Sequence, residues 1–390
     1  MFWRPLHQPQ RSLSAVYFGA FFLSLHYAIT VYIDSTFLAK FFSEQNIGII
    51  FTAGSTLTIF LLSFAPRILR ALGNYVTTMI VGVSEVVLLA ALPFFQSVEA
   101  IALLFVLHTA MVTILLFNFD IFTESRSKDK TTGWTRSVFL TMQNLAVVLG
   151  PVIVGAVMTD SEFWKIYLLS AAFMVPVLLT VCISLHNFKD PRYEEIQSET
   201  ALRDVWKNKD IRYITGANFL LQFFYAIMVI YTPVYLNLHI GFTWGEIGTI
   251  FGMMLLPFVL LEIPLGKIAD EKLGEKEILV AGFFLIAVTT FSLSFLTARS
   301  IPLWAGILFM TRVGAAAIEI MTETYFFKKI NARDAGMLGV FRHMRPIAYI
   351  VGPLAASVFL MTYSLQYIFI ALAIIMFLGL PFSLLIKDTK

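Results

Sequence analysis

Apolar runs of about twenty or more residues recur from one end of this chain to the other, and few folds can absorb them. A helix rises 1.5 Å per residue, so about 20 residues cross the ~30 Å of hydrocarbon in a bilayer. Of 390 residues, 58% are hydrophobic and only 14% charged, with a mean hydropathy of +0.80. That balance suits lipid and not water. Lipid offers the backbone no hydrogen-bond partners, so the spans must be helices. The pattern predicts twelve, near residues 13–38, 46–66, 74–95, 100–123, 137–158, 163–186, 213–237, 246–266, 277–297, 302–326, 338–361 and 364–386. The first run is too long for a secretory leader, contains His26 and Asp34, and lacks a small-residue cleavage site, so it reads as a span. The fold class is an all-α integral membrane protein. The lone Cys182 excludes an intrachain disulfide and reads as a buried spectator thiol.

Orientation follows from the loops. Of 28 Lys and Arg residues, 24 fall on one side of the predicted spans, Arg312 lies inside a span, and only Lys40, Lys165 and Arg299 fall on the other. By the positive-inside rule both termini are cytoplasmic, in a plasma (inner) membrane. The longest connection, Asn187–Arg212, carries both signs of charge and joins span 6 to span 7. Its Leu202, Val205 and Trp206 stand at helical spacing, which suits a helix lying along the membrane surface or a solvated linker.

The two halves of the chain repeat. Tyr27-Ala28-Ile29 returns as Tyr225-Ala226-Ile227, and Gly150-Pro151 as Gly352-Pro353. Ile47-Gly48-x-Ile50-Phe51 returns as Ile247-Gly248-x-Ile250-Phe251, and Val138-Phe139-x-x-Met142 as Val340-Phe341-x-x-Met344. Asp120-Ile-Phe-Thr-Glu124 is echoed by Glu319-Ile-Met-Thr-Glu323, and Lys189-Asp190 by Lys387-Asp388. The matches keep their order, at offsets near 200 residues, which indicates duplication. The expected domains are a six-helix bundle at 1–186, a linker at 187–212 and a second bundle at 213–390.

Two six-helix repeats in parallel are the architecture of the major facilitator superfamily (MFS), which the chain resembles over nearly its whole length. The superfamily's loop signature resembles Gly266-Lys-Ile-Ala-Asp270-Glu-Lys-Leu-Gly274-Glu-Lys276, although Glu271 replaces the usual base and one extra residue precedes Gly274. The first-half copy, Ala65-Pro-Arg67-Ile-Leu-Arg70-Ala-Leu-Gly73, lacks the first Gly and the Asp. Gly150-Pro151-Val-Ile-Val154-Gly155 keeps part of an antiporter signature in span 5, but span 11 has Gly-Pro too, so a general helix-bending pair fits equally.

The resemblance implies that spans 1, 4, 7 and 10 line a central cavity, and polar residues fall there. Span 1 has His26, Tyr27, Thr30 and Asp34; span 7 has Asn218, Gln222 and Tyr225; span 10 has Arg312 and Glu319. A charge within a membrane helix costs about 2.5–3.5 kcal/mol on insertion scales, so it faces protein or a wet cavity. Arg312 and His26 lie near mid-depth, about 15 Å in. Arg312 suits an anionic substrate group or the fixed counter-charge of an acid such as Asp34 or Glu319. His26 suits the cavity or a helix–helix contact, and Asp34 the cavity or a wet outer mouth. Asp120 and Glu124 with Arg136, and Glu319 and Glu323 with Arg342, read as ionic contacts that hold a cytoplasmic gate, together with Gly266, Asp270 and Gly274 of the signature loop. Glu85, mid-depth in span 3, reads as a satisfied helix contact.

No metal-ligand spacing, phosphate-binding loop or ATP-binding domain is present in the sequence, so it calls for no cofactor and is not read as an enzyme. A net charge of +3 does not suggest nucleic acid as a partner. The expected function is secondary active transport of a small organic solute by alternating access, coupled to protons, with export favoured over import and a monomer as the working unit. The alternatives are an uncoupled facilitator, a lipid-like amphiphile translocase, or a membrane sensor on the same fold.

Overall fold

The apolar runs form helices throughout the computed structural model, which describes residues 8–126, 132–158, 162–193, 198–269, 273–330 and 335–387. The first half comprises α1 (Gln8–Thr30), α2 (Asp34–Leu38), α3 (Glu44–Ala91), α4 (Val98–Arg126), α5 (Thr132–Val157) and α6 (Phe163–Ser184). After α7 (Ser198–Lys207), the second half comprises α8 (Lys209–Val234), α9 (Trp244–Leu260), α10 (Glu262–Ile268), α11 (Glu275–Leu293), α12 (Ile301–Lys329), α13 (Ala335–Leu360), α14 (Ile368–Phe377) and α15 (Gly379–Leu385). Among the described residues, eleven stretches are long and apolar enough to cross a membrane. The longest, Glu44–Phe94, is two crossings joined at Gly73, whose φ of 77° and ψ of 159° break the helix, so the expected twelve spans are present.

The helices expose apolar residues as well as burying them. On the second limb of α3, Val76, Ile80, Val83 and Val87 are exposed along one stripe, while Asn74, Thr77, Thr78 and Glu85 are buried. Steps of four, three and four residues keep that apolar stripe on one helix face, as lipid contact requires. Cys182 also lies exposed on α6, contrary to the buried thiol expected. An apolar run fixes that a residue is in the membrane and leaves open whether it faces protein or lipid.

The contacts group the chain into two compact units: Met1–Ile33 with Ala53–Glu195, and Asp34–Thr52 with Ile196–Lys390. The repeated motifs meet each other inside these units. In the first, a Cβ on Gly150 of α5 would stand 2.7 Å from the carbonyl oxygen of Ala28 on α1. In the second, a Cβ on Gly352 of α13 would stand 3.3 Å from the Cβ of Ala226 on α8. The Gly-Pro and Tyr-Ala-Ile repeats are therefore two sides of one helix–helix contact, made twice. Gly73 and Gly274 are a third matched pair. Both adopt positive φ, 77° and 86°, before spans 3 and 9, which a Cβ would strain.

The linker helix α7 packs on α13 and α8 of the second unit. It buries Val205 and leaves Leu202 and Trp206 exposed. Asn208 then caps α8, its side-chain oxygen accepting from the Ile211 backbone N–H, so span 7 begins a turn earlier than hydropathy indicates.

Candidate functional site

In the second unit the cluster is built on α8 and α12. Arg312 is only 2% exposed, although it carries a full charge at mid-span. Its guanidinium lies over two aromatic faces of α8, 5.2 Å from the Phe224 ring centroid and 5.6 Å from that of Tyr225. Such contacts offset part of the desolvation of a cation. The Tyr225 hydroxyl donates to Glu319 Oε2 at 2.8 Å. Arg312 and Glu319 are seven residues apart on one face of α12, and Tyr225 links them from the facing helix. Arg312 Nε and Nη1 have no hydrogen-bond partner among the described residues. A buried donor left in that state costs about 1–3 kcal/mol, more when charged. One turn away, Gln222 donates to Asn218 Oδ1 at 3.4 Å, and Asn218 Nδ2 donates to the Phe341 carbonyl on α13 at 3.2 Å.

Span 1 does not carry its polar residues on one continuous helix. α1 ends at Thr30, whose hydroxyl turns back to the Tyr27 carbonyl at 3.1 Å. Val31–Ile33 form a turn, and Asp34 opens the separate α2, which packs on α8 in the second unit. The four-residue step from Thr30 to Asp34 therefore crosses a helix break. Tyr27 is half-buried, and Thr30 and Asp34 are buried.

His26 belongs to another cluster, wholly within the first unit. Glu85 Oε1 accepts from His108 Nδ1–H at 2.5 Å, and His26 Nε2 stands 3.4 Å from the same oxygen. On its other side, His26 Nδ1 is 2.7 Å from the Ser170 hydroxyl, which donates to the His26 carbonyl at 2.9 Å. Glu85 thus has neighbours from α1 and α4 at Oε1, while its Oε2 is buried with no hydrogen-bond partner among the described residues. His108 and Ser170 escaped the sequence reading because each is a lone polar residue in an apolar run. The available signal was Glu85 itself, because a mid-span acid requires a mid-span partner in the same bundle.

Where α12 ends and α13 begins, Arg342 on α13 donates twice to Glu323 on α12, Nη1 to Oε1 at 2.5 Å and Nη2 to Oε2 at 3.0 Å. This pair joins two helices of the same unit. In the first-half counterpart, Asp120 is half-buried and Glu124 exposed; the Arg136 side chain and Asp270 lie outside the described residues. Gly274 uses its positive φ to start α11, whereas Gly266 has open space where a Cβ would stand. Near these ends, Lys328 pairs with buried Glu275 at 2.5 Å and Lys329 with Asp210 at 3.0 Å. Among the described residues, no group of three or more His, Cys, Asp or Glu side chains could hold a metal ion.

Twelve spanning helices, with ionisable side chains held at mid-span, fit a membrane transporter. The family model of the Major Facilitator Superfamily matches residues 13–341 and, in a second match, 245–390, and the chain belongs to that superfamily. Among solved structures, it is similar to a mutant of the nucleoside transporter NupG, with a TM-score of 0.75 at 12% identity, covering 96% of this chain and 100% of that one. It is also similar to a bacterial homologue of the human lysosomal transporter Spinster in an inward-facing, unoccupied conformation, with a TM-score of 0.71 at 10% identity, covering 98% of this chain and 94% of that one. At these identities the likeness shows the fold. No curated protein matches the sequence.

Proposed function

We propose that this transporter moves a small organic solute by alternating access, with transport coupled to protons, and that the Arg312–Tyr225–Glu319 cluster recognises the solute. The observation that carries this reading is Arg312, buried at mid-span with Nε and Nη1 unpartnered and two aromatic faces beside it. A guanidinium in that setting suits a carboxylate or similar acceptor group on a solute, and the rings suit its apolar or planar part. Glu319, held by Tyr225, is the acid through which solute binding is relayed to the cytoplasmic end of α12, where the Glu323–Arg342 pair stiffens the gate. Exposed pairs of this kind are individually weak and can break and re-form during a cycle. Both termini face the cytoplasm in this reading, supported by the 24-to-3 distribution of Lys and Arg.

Transport in proteoliposomes tests this reading, after a thermal-shift screen of small organic acids has supplied a solute that stabilises the purified protein. Arg312→Ala is expected to abolish uptake, and Arg312→Lys to retain a fraction of it, because the charge survives and the planar fork does not. Wild-type rates in a folded Arg312→Ala protein would remove the site assignment. Flux that ignores a pH gradient would indicate an uncoupled facilitator, and a stabilising solute that is never moved would indicate a sensor. For orientation, single cysteines at Lys128 and Lys207 in a Cys182→Ser background should resist an impermeant thiol reagent in intact cells, and those at Lys165 and Arg299 should react.

A further inference from the structure

The first unit holds three ionisable side chains that the solute cluster leaves unused. Glu85, His26 and His108 are 0%, 0% and 3% exposed and come from α3, α1 and α4, with Ser170 of α6 closing the group. The hydrogen bonds around His26 fix its tautomer. The single hydroxyl proton of Ser170 is given to the His26 carbonyl at 2.9 Å, so Ser170 Oγ must accept from His26 Nδ1–H at 2.7 Å. Neutral His26 then presents the bare lone pair of Nε2 to Glu85 Oε1, 3.4 Å away. Two acceptors facing each other repel unless one of them carries a proton. His26 Nε2 and Glu85 Oε2 are both buried without a hydrogen-bond partner among the described residues, so neither acceptor is quenched from another direction. The other side of Glu85 is already occupied, because His108 Nδ1–H donates to the same Oε1 at 2.5 Å.

We propose that the Glu85–His26 contact, braced by His108 and Ser170, is a proton-binding site, and that its proton is the one coupled to transport; this rests on the proton-coupled reading above. The site takes one proton, placed either on His26 Nε2 as imidazolium or on the Glu85 carboxyl. With that proton the cluster is neutral overall, and without it the cluster carries one uncompensated negative charge inside a membrane helix bundle. Burial therefore ties protonation to the packing of α1, α3, α4 and α6, and a conformation that opens this packing to water favours release. Four helices of the unit contribute described groups around the site. α1 contributes His26, α3 contributes Glu85 and α4 contributes His108, while α6 faces them with Ser170 and has Tyr167 buried one turn away. α5 meets α1 through Gly150 against Ala28, with no ionisable group at that contact. Lys165, toward the outer end of α6, is paired with Glu162.

The experiment combines two readouts on the full-length protein. Infrared difference spectra of the protein in nanodiscs, taken between acid and alkaline buffer, should show a carboxyl or imidazolium change that is lost in Glu85→Gln and altered in His26→Gln. Spectra of Glu85→Gln that superimpose on wild type would overturn the proposal. In proteoliposomes, with a solute from the screen, wild-type flux should rise with an imposed pH gradient, and folded Glu85→Gln should move the solute down its own gradient at least ten times less responsively to pH. If Glu85→Gln still follows the pH gradient as wild type does, the triad is structural and the proton-coupled reading stands without it. If wild type itself ignores the gradient, both readings fall together. His108→Gln, which retains a side-chain amide donor for Glu85, guards against misfolding: it should keep the infrared signal while shifting the pH at which it appears.

Discussion

The two halves share a scaffold and part of its polar filling, Tyr27 and Asp120 matching Tyr225 and Glu319, but differ in the ionisable residues held at mid-span. At the offsets set by the repeated motifs, His26 and Glu85 of the first half correspond to Phe224 and Ile286 of the second, both buried. Conversely, Arg312 of the second half corresponds to Thr113 of the first, whose hydroxyl merely returns to the Thr109 carbonyl at 3.1 Å. Contacts that define helix packing, such as Gly150 on Ala28 and Gly352 on Ala226, survive in both copies. Backbone geometry therefore constrains a duplicated bundle more tightly than chemistry does. One half concentrates an acid with two histidines, the other a guanidinium with aromatic rings, and this division is what the proposed separation of proton and solute sites rests on.

The sharpest test of the difference removes one member of the first-half cluster. His108→Ala would leave Glu85 buried without its closest partner, and breaking a buried pair in this way costs about 3–5 kcal/mol. A large drop in the melting temperature of the detergent-solubilised protein is expected. The double variant Glu85→Leu/His108→Leu should recover most of that loss, since it leaves no unpaired charge. If the single variant melted as wild type does, the cluster would not be the constraint that distinguishes the first half.

The shared scaffold can be probed at its closest contacts. Gly150→Ala places a methyl group 2.7 Å from backbone oxygen, which cannot rotate away, whereas Gly352→Ala meets a Cβ at 3.3 Å. Overpacking costs about 1–3 kcal/mol, and the first substitution should fall within that range and the second below it. Equal losses on chemical unfolding would mean that the two halves pack alike there despite the difference in distance.

In the second half, Arg312→Met should change stability by less than about 2 kcal/mol, because the lost cation–π contacts are offset by removal of unpartnered donors. Its transport should nevertheless collapse. A matching loss of stability and flux would show Arg312 to be structural, as Glu85 and His108 would then be by the same standard. The smallest effect is expected from Glu323→Gln. This half-exposed ion pair contributes no more than about 1 kcal/mol, so melting should barely move, with any change seen in the rate of the transport cycle. A large stability loss would mean that the paired ends of α12 and α13 are held mainly by that pair.

Hydropathy was sufficient for the class of protein and the number of spans, because lipid imposes one simple requirement on every residue of a span. The run lengths record that requirement directly, and the repeated Tyr-Ala-Ile and Gly-Pro motifs record the duplication. The partners of the ionisable residues were not legible. Asp34 stands four residues after Thr30, as a continuous helix would need, but the chain breaks between them and Asp34 groups with the second unit. His26 suited a cavity as well as a helix contact until its two ring nitrogens were found facing Ser170 and Glu85. Cys182 and Glu85 both lie in apolar runs, yet one is exposed and the other sealed inside. A helix's sequence fixes which residues share a face, but not which neighbour that face meets, and at mid-membrane the neighbour decides whether a titratable group is an ion, a hydrogen-bond partner or a proton site. The sequence alone determined the spans and their pairing into repeats; only the tertiary packing of α1, α3, α4 and α6, and of α8 on α12, decided where the charges meet.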